Sequence, residues 1–221
     1  MMNTCRILTR HEGETGPEVL CLGAHADDIE IGCGGTVLRI CQEFPGAIVH
    51  WIVLGAHGPR AEEARAGAVR FRTMASGGEV IIMDFRDGFF PFEGAAIKEF
   101  FEDLKTRISP DLIFTHYRFD RHQDHRLVSD LTWNTWRDHT ILEYEVPKWD
   151  GDLGVPNGFV PLTRAAAERK TEEILSVFAT QKDKPWFTAD TFLSLMRLRG
   201  NECRAEEGFA EAFHARKLAL L

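Results

Sequence analysis

Two short stretches of this 221-residue chain carry residues whose types and spacing could do chemistry. The first, LGAHADDIEIGCGG, runs from Leu22 to Gly35 and sets His25, Asp27, Asp28 and Glu30 directly after an apolar run. The second, HYRFDRHQDHR, holds His116, Asp120, His122, Asp124 and His125. Either alone has an ordinary reading. Asp favours the first turn of a helix, and HQDH suits a polar helix face. Together they read as a metal site. His25 and Asp28 are three residues apart, so one turn can aim both at one point. His122 and His125 share that spacing at a helix start and so share a face. Two histidines and one carboxylate leave one position open on a metal, the pattern of a catalytic rather than a structural zinc. Asp27 is then free to act on a water held there.

The surrounding sequence supplies the elements to position these residues. EVLCLGA (18–24), AIVHWIVLG (47–55), EVIIMDF and DLIFTHY read as short buried strands. Between them lie GTVLRICQEF, RAEEARAGAVRFRTMAS and GAAIKEFFEDLKTRIS, with apolar residues at helical spacing. Strand and helix alternate at crossover spacing. This predicts a Rossmann-like α/β fold: a mostly parallel sheet with helices on both faces. Ligands bind such sheets at the carboxyl ends of the strands, and both polar clusters follow such ends. HRLVSDLTWNTWRDH reads as a helix, TILEYEVP as a strand and KWDGDLGVPNGFVPL as a Gly/Pro-rich loop. Three further helices are expected at 165–179, 189–199 and 207–217. This C-terminal third is expected to pack on the same sheet, making residues 1–221 one domain.

Composition excludes several classes. Lys and Arg number 26 against 34 Asp and Glu, a net charge of −8, which argues against non-specific nucleic-acid binding, since neutralising phosphates needs clustered Lys and Arg. The five cysteines (5, 21, 33, 41 and 203) include no C-x-x-C pair, against a disulfide framework or a thiolate zinc site. The first sixteen residues lack a signal-like apolar core, and no stretch approaches a membrane span. A protein of the reducing cytoplasm is expected, with no membrane partner. KPWFTADTFLSLMRLRGNEC reads as core or as a contact between copies, which leaves room for a homo-oligomer. Gly32, Gly34 and Gly35 do not have G-x-G-x-x-G spacing, and Asp27 and Asp28 would repel a phosphate there. Their expected use is close approach of the first helix.

With the motifs laid out, AHADDIEIGCGGT resembles the signature of the LmbE-like, or PIG-L, family of metal-dependent N-acetylglucosaminyl deacetylases. That signature is usually A-H-P-D-D-E before a Gly-rich turn. HQDH resembles the family's H-x-D-H motif. The departures are Ala26 in place of proline, as in the branch resembling bacillithiol-pathway deacetylases, and Ile29 in place of glutamate, with Glu30 one place later. The resemblance implies His25, Asp28 and His125 as metal ligands and Asp27 as general base. It implies His122 as the group that stabilises the oxyanion or protonates the leaving amine, with Asp124 orienting it. Arg60 and Glu63 match R-x-x-E, which implies a substrate contact for Arg60. Implied too are zinc, with iron(II) or another divalent metal as the alternative, and a small amino-sugar substrate.

Of the remaining polar residues, His57 and His116 read as structural histidines near strand ends. Trp149, Asp150 and Asp152 could meet a sugar or simply form a surface loop. Two other functional readings compete: a non-haem iron enzyme built on the same two histidines and carboxylate, and a metal-dependent binding module. Asp27 discriminates, since neither needs a base beside the metal.

Overall fold

The computed structural model describes residues 7–8 and 16–219. Most of the N-terminal stretch read above as lacking a signal, Cys5 included, lies outside the described residues. Strands β1 (Glu18–His25), β2 (Ile48–Gly55), β3 (Val80–Ile82), β4 (Leu112–His116), β5 (Thr140–Tyr144), β6 (Gly158–Leu162) and β7 (Phe209–Ala215) form one sheet in the order β3-β2-β1-β4-β5-β7-β6. The pairings from β3 through β5 are parallel, and β7 runs antiparallel to both β5 and β6. The expected mostly parallel sheet is therefore present.

The helices are α1 (Asp28–Glu43), α2 (Pro59–Phe71), α3 (Phe90–Arg107), α4 (Gln123–Thr135), α5 (Arg164–Val177) and α6 (Ala189–Glu202), with one 3-10 turn at Ala179–Gln181. Strand alternation splits the core between the two faces. Val19 and Cys21 of β1 pack with Val37 of α1, Phe71 of α2 and Ile174 of α5. Leu20, Leu22 and Ala24 pack with Ile97 and Phe101 of α3 and Val128 of α4. Among the described residues no helix is long and apolar enough to cross a membrane.

Two expectations fail in the C-terminal third. Residues 207–217 are not a helix: Phe209–Ala215 is β7, which slots between β5 and β6. FAEAFHA alternates with period two, and pairing on both edges outweighs the helical preference of its three alanines. The Gly/Pro-rich loop contains β6, and Pro161 is tolerated there because β6 is an edge strand.

The glycines of α1 do serve close approach. A Cβ on Gly32 would lie 2.1 Å from the ring of Tyr144, and one on Gly35 would lie 2.8 Å from Leu162. The helix consequently sits against β5 and β6. Its first turn lies at the carboxyl end of β1, beside β4, where the strand order reverses direction. That is the switch point at which sheets of this kind bind ligands.

Candidate metal centre

His25 ends β1, Asp27 caps α1 and Asp28 opens it. His122 caps α4 and His125 lies in its first turn. The sheet places β1 beside β4 and so brings the two motifs together. Three atoms close a triangle. His25 Nδ1 is 3.4 Å from Asp28 Oδ2, His125 Nε2 is 3.5 Å from the same oxygen, and the two nitrogens are 3.2 Å apart. All three side chains are buried.

The opposite nitrogens of both rings are engaged by carboxylates. His25 Nε2 lies 3.2 Å from Asp124 Oδ2, and His125 Nδ1 lies 2.9 Å from Asp120 Oδ2. With N–H groups directed at these carboxylates, His25 Nδ1 and His125 Nε2 are the atoms a metal ion would take. They face each other and a carboxylate oxygen. The two nitrogens lie within hydrogen-bond distance of each other, and Asp28 Oδ2 also accepts the backbone N–H of His25 at 2.6 Å. A tetrahedral zinc with bonds of about 2.0–2.1 Å sets its donors about 3.3 Å apart. The donor set and its spacing fit such an ion.

The electrostatics treat the two histidines differently, favouring a neutral His125 and a protonated His25 whose proton a metal ion would displace. Burial pushes His125 down to about 4, with His116 adding to it, so the ring is neutral as a ligand must be. Burial works against ionised Asp28, but the neighbouring His125 and His116 outweigh it and hold the carboxyl well below its ordinary range. Burial also opposes a charged His25, yet its hydrogen bonds to Asp124, Asp28 and Asp87 hold the pKa well above the usual histidine value. The pocket as a whole favours positive charge.

Asp27 is buried and makes an ion pair with Arg60, Nη2 to Oδ1 at 2.7 Å. Burial raises its pKa and Arg60 opposes the rise. Arg60 also reaches the hydroxyl of Thr180 at 3.2 Å, and Glu63 accepts hydrogen bonds from both the amide and the hydroxyl of Thr180. A nitrogen of His122 lies within 4.8 Å of nitrogens of His25 and His125. His122 Nδ1 accepts the backbone N–H of Asp124 at 3.3 Å, which leaves the proton on Nε2. Burial, reinforced by the charge at His25, lowers the His122 pKa.

Asp124 is not placed as the resemblance implied. Its carboxylate is within hydrogen-bond distance of His25 and only within 4.8 Å of a ring nitrogen of His122, and is fixed by the backbone N–H groups of Gly88 (2.6 Å) and Phe90 (3.2 Å). The short reach of an Asp on the inner face of α4 directs it to the loop before α3 instead. Asp120, singled out above only as part of its cluster, is the partner of His125 and also accepts the backbone N–H of His122 at 2.7 Å. Asp87, missed in the sequence, brings Oδ1 to 3.1 Å from His25 Nε2. Its only sequence signal is a carboxylate just after a strand end.

His116 is buried behind Asp28. Its Nε2 accepts the Ala24 N–H at 2.9 Å and lies 3.2 Å from Asp28 Oδ2, and its ring stacks on His125 with centroids 3.9 Å apart. His57 is exposed and Trp149 is 69% exposed, while the Asp152 carboxylate is consumed by Lys148. Glu30 is fully buried with neither carboxyl oxygen hydrogen-bonded among the described residues, and burial raises its pKa well above the ordinary value.

Comparison with known proteins bears on this geometry. A deacetylase of Escherichia coli (strain K12), YaiS, described as uncharacterized, is 31% identical over 142 residues, which span 58% of this chain and 74% of YaiS. The N,N'-diacetylchitobiose deacetylase of Pyrococcus horikoshii superposes with a TM-score of 0.66 at 18% identity, covering 90% of this chain and 83% of that one. The 4-carboxy-2-hydroxymuconate hydratase GalB of Pseudomonas putida KT2440 superposes with a TM-score of 0.72 at 16% identity, covering 93% and 98%. The fold thus carries more than one chemistry, and the site must decide between them. The family model for GlcNAc-PI de-N-acetylase, PIG-L, matches residues 20–136, the segment that contains both motifs and the strands that join them. On that match, and on the YaiS relationship, the chain belongs to the PIG-L (LmbE-like) family of deacetylases.

Proposed function

We propose that this protein is a zinc-dependent hydrolase that removes the acetyl group from an N-acetylglucosamine-type amino sugar or its conjugate, giving acetate and a free amine. The observation that carries the reading is the buried triangle of donor atoms on His25, Asp28 and His125, with a carboxylate, Asp27, beside it that is not a member of the triangle. A binding module or an oxygenase needs the three donors and has no use for that carboxylate.

His25, Asp28 and His125 would hold a zinc ion, which when bound would act as a Lewis acid and make water more acidic. Asp27 takes a proton from the attacking water, and its ion pair with Arg60 favours the ionised form against burial. The water oxygen forms the new bond to the acetyl carbon. His122, neutral, with its proton on Nε2, donates a hydrogen bond to the acetyl oxygen as that atom gains charge. This replaces the protonated His122 that an Asp124 partner would have favoured. Asp27 then returns its proton to the nitrogen as the C–N bond breaks, so the amine leaves neutral. Microscopic reversibility allows one carboxyl group to serve both steps. The other guanidinium donors of Arg60 remain at the pocket wall to meet sugar hydroxyls. The sugar itself is suggested by the activities named for the family and for the chitobiose deacetylase.

The test is metal analysis of the purified protein combined with a panel of N-acetylglucosaminides. One zinc per chain and equal release of acetate and primary amine are expected. Hydration of an unsaturated acid without amide cleavage would instead favour the chemistry named for the hydratase.

A further inference from the structure

The two carboxylates behind the histidine ligands are held in different ways. Asp124, behind His25, is fixed by the backbone of Gly88 and Phe90. Asp120, behind His125, is held by a side chain from a distant loop. Lys148 follows β5 and sends its Nζ to 3.0 Å from Asp120 Oδ2 and 2.7 Å from Asp152 Oδ2. The lysine side chain is 8% exposed, and the two carboxylates are 5% and 7% exposed. Asp152 also accepts the backbone N–H of Arg121 at 2.6 Å, so the loop is pinned to the segment that carries Asp120.

Burying a lysine between two carboxylates is weak evidence for stability, because desolvation consumes most of the Coulombic gain. The oxygen on which Lys148 lands is the one that accepts His125 Nδ1–H. An unbroken line of contacts therefore runs from the loop to the metal triangle: Asp152, Lys148, Asp120, His125. A carboxylate that orients a ligand histidine does so only if it is itself fixed. Oδ1 of Asp120 is fixed by the His122 N–H, and Oδ2 is fixed from outside by Lys148 alone among the described residues.

We propose that Lys148, anchored by Asp152, is a positioning residue for the metal centre: it fixes Asp120 so that His125 presents its Nε2 lone pair to the ion. This rests on the reading of His25, Asp28 and His125 as zinc ligands. The inference makes the loop at 147–157 part of the metal site, although it contributes no ligand.

The experiment measures the apparent zinc affinity of the full chain by competition with a chromogenic chelator, alongside thermal unfolding. Lys148→Met is expected to weaken zinc binding about 10–100-fold, the usual effect of losing an outer partner of a ligand. Lys148→Arg, which keeps the charge, is expected to restore most of it. The double variant Lys148→Met with Asp152→Leu replaces the buried ion pair by apolar groups and is expected to recover thermal stability while zinc binding stays weak. If affinity recovers with stability, Lys148 is merely structural and the proposal is overturned. It is equally overturned if folded Lys148→Met binds zinc like the wild type while His125→Ala does not bind. Should Lys148→Met fail to fold, the double variant and Lys148→Arg decide. A wild-type protein that binds no zinc overturns the site reading and the proposal together.

Discussion

The guanidinium of Arg60 lies 2.7 Å from Oδ1 of Asp27, the carboxylate adjacent in sequence to the ligand Asp28. Burial raises the Asp27 pKa and Arg60 draws it down. Arg60→Ala removes the lowering influence, so Asp27 stays protonated to higher pH. The acidic limb of the kcat/KM profile is expected to move upward. A charge-assisted hydrogen bond worth about 1.5 kcal/mol corresponds to roughly tenfold in kcat/KM on that limb. A rise in KM with an unmoved limb would mean that Arg60 serves only to bind substrate.

His25→Ala, Asp28→Ala and His125→Ala each delete one corner of the donor triangle. Each is expected to purify without zinc. Among the described residues no cysteine is available as a substitute, since Cys21, Cys33, Cys41 and Cys203 are all buried and none joins a group of side chains that could hold a metal. Metal analysis of the three folded variants checks this, and full occupancy in any one removes that residue from the ligand set.

Asp27→Asn keeps the shape of the side chain and its contact with Arg60 but cannot take a proton. Zinc content is expected to be unchanged and kcat to fall by ~10²–10⁴. Loss of the metal as well would make Asp27 a ligand.

Asp124→Asn keeps one acceptor for the backbone of the loop before α3 and weakens the hold on His25 Nε2. Zinc affinity is expected to fall about 10–100-fold, with kcat of the saturated enzyme less affected. Were kcat to collapse at full occupancy, Asp124 would act in the chemical step.

His214 gives a pH signature remote from the zinc ligands. Its ring stacks on Tyr117 with centroids 3.8 Å apart, and its Nε2 is buried without a partner among the described residues. Burial, with Arg199 adding to it, pushes its pKa down to about 4. Between the ordinary histidine value and about 4 the unfolded chain binds a proton that the folded chain does not. Stability is therefore complete at neutral pH and declines as pH falls through that window, by at most about 3 kcal/mol. His214→Phe keeps the stack and is expected to flatten the decline. Urea unfolding at pH 7 and pH 5, with chelator present throughout, measures it.

How much of this was legible in the sequence depended on distance along the chain. The strand and helix alternation through β4 is local and periodic, so it could be read. So could HADD and HQDH, since each places its residues within one turn. What lay beyond reach were partners separated by sequence. Lys148 meets Asp120 across 28 positions, and no spacing rule announces that contact. The family resemblance implies Asp124 as the partner of His122, yet the inward face of α4 brings its carboxylate within hydrogen-bond distance of His25. β7 was read as a helix because alanine composition is visible in one segment, while the two strand edges that capture it are not.

The place of β7 also sets an order of assembly. Every other strand is synthesised before it, yet it fills an interior position, pairing Tyr144 with Phe213 on one side and Leu162 with Phe209 on the other. A ribosome-bound chain that has emerged only through α6 holds β5 as an open edge and β6 without a neighbour. Glu211 is also missing at that stage, the residue that accepts the N–H groups of Gly35 and Thr36 and pairs with Lys170. The histidines and carboxylates of the centre are translated early, but the sheet that seats them closes late. Until β7 pairs, the edge of β5 is left open, and an open strand edge is a template for pairing with another chain.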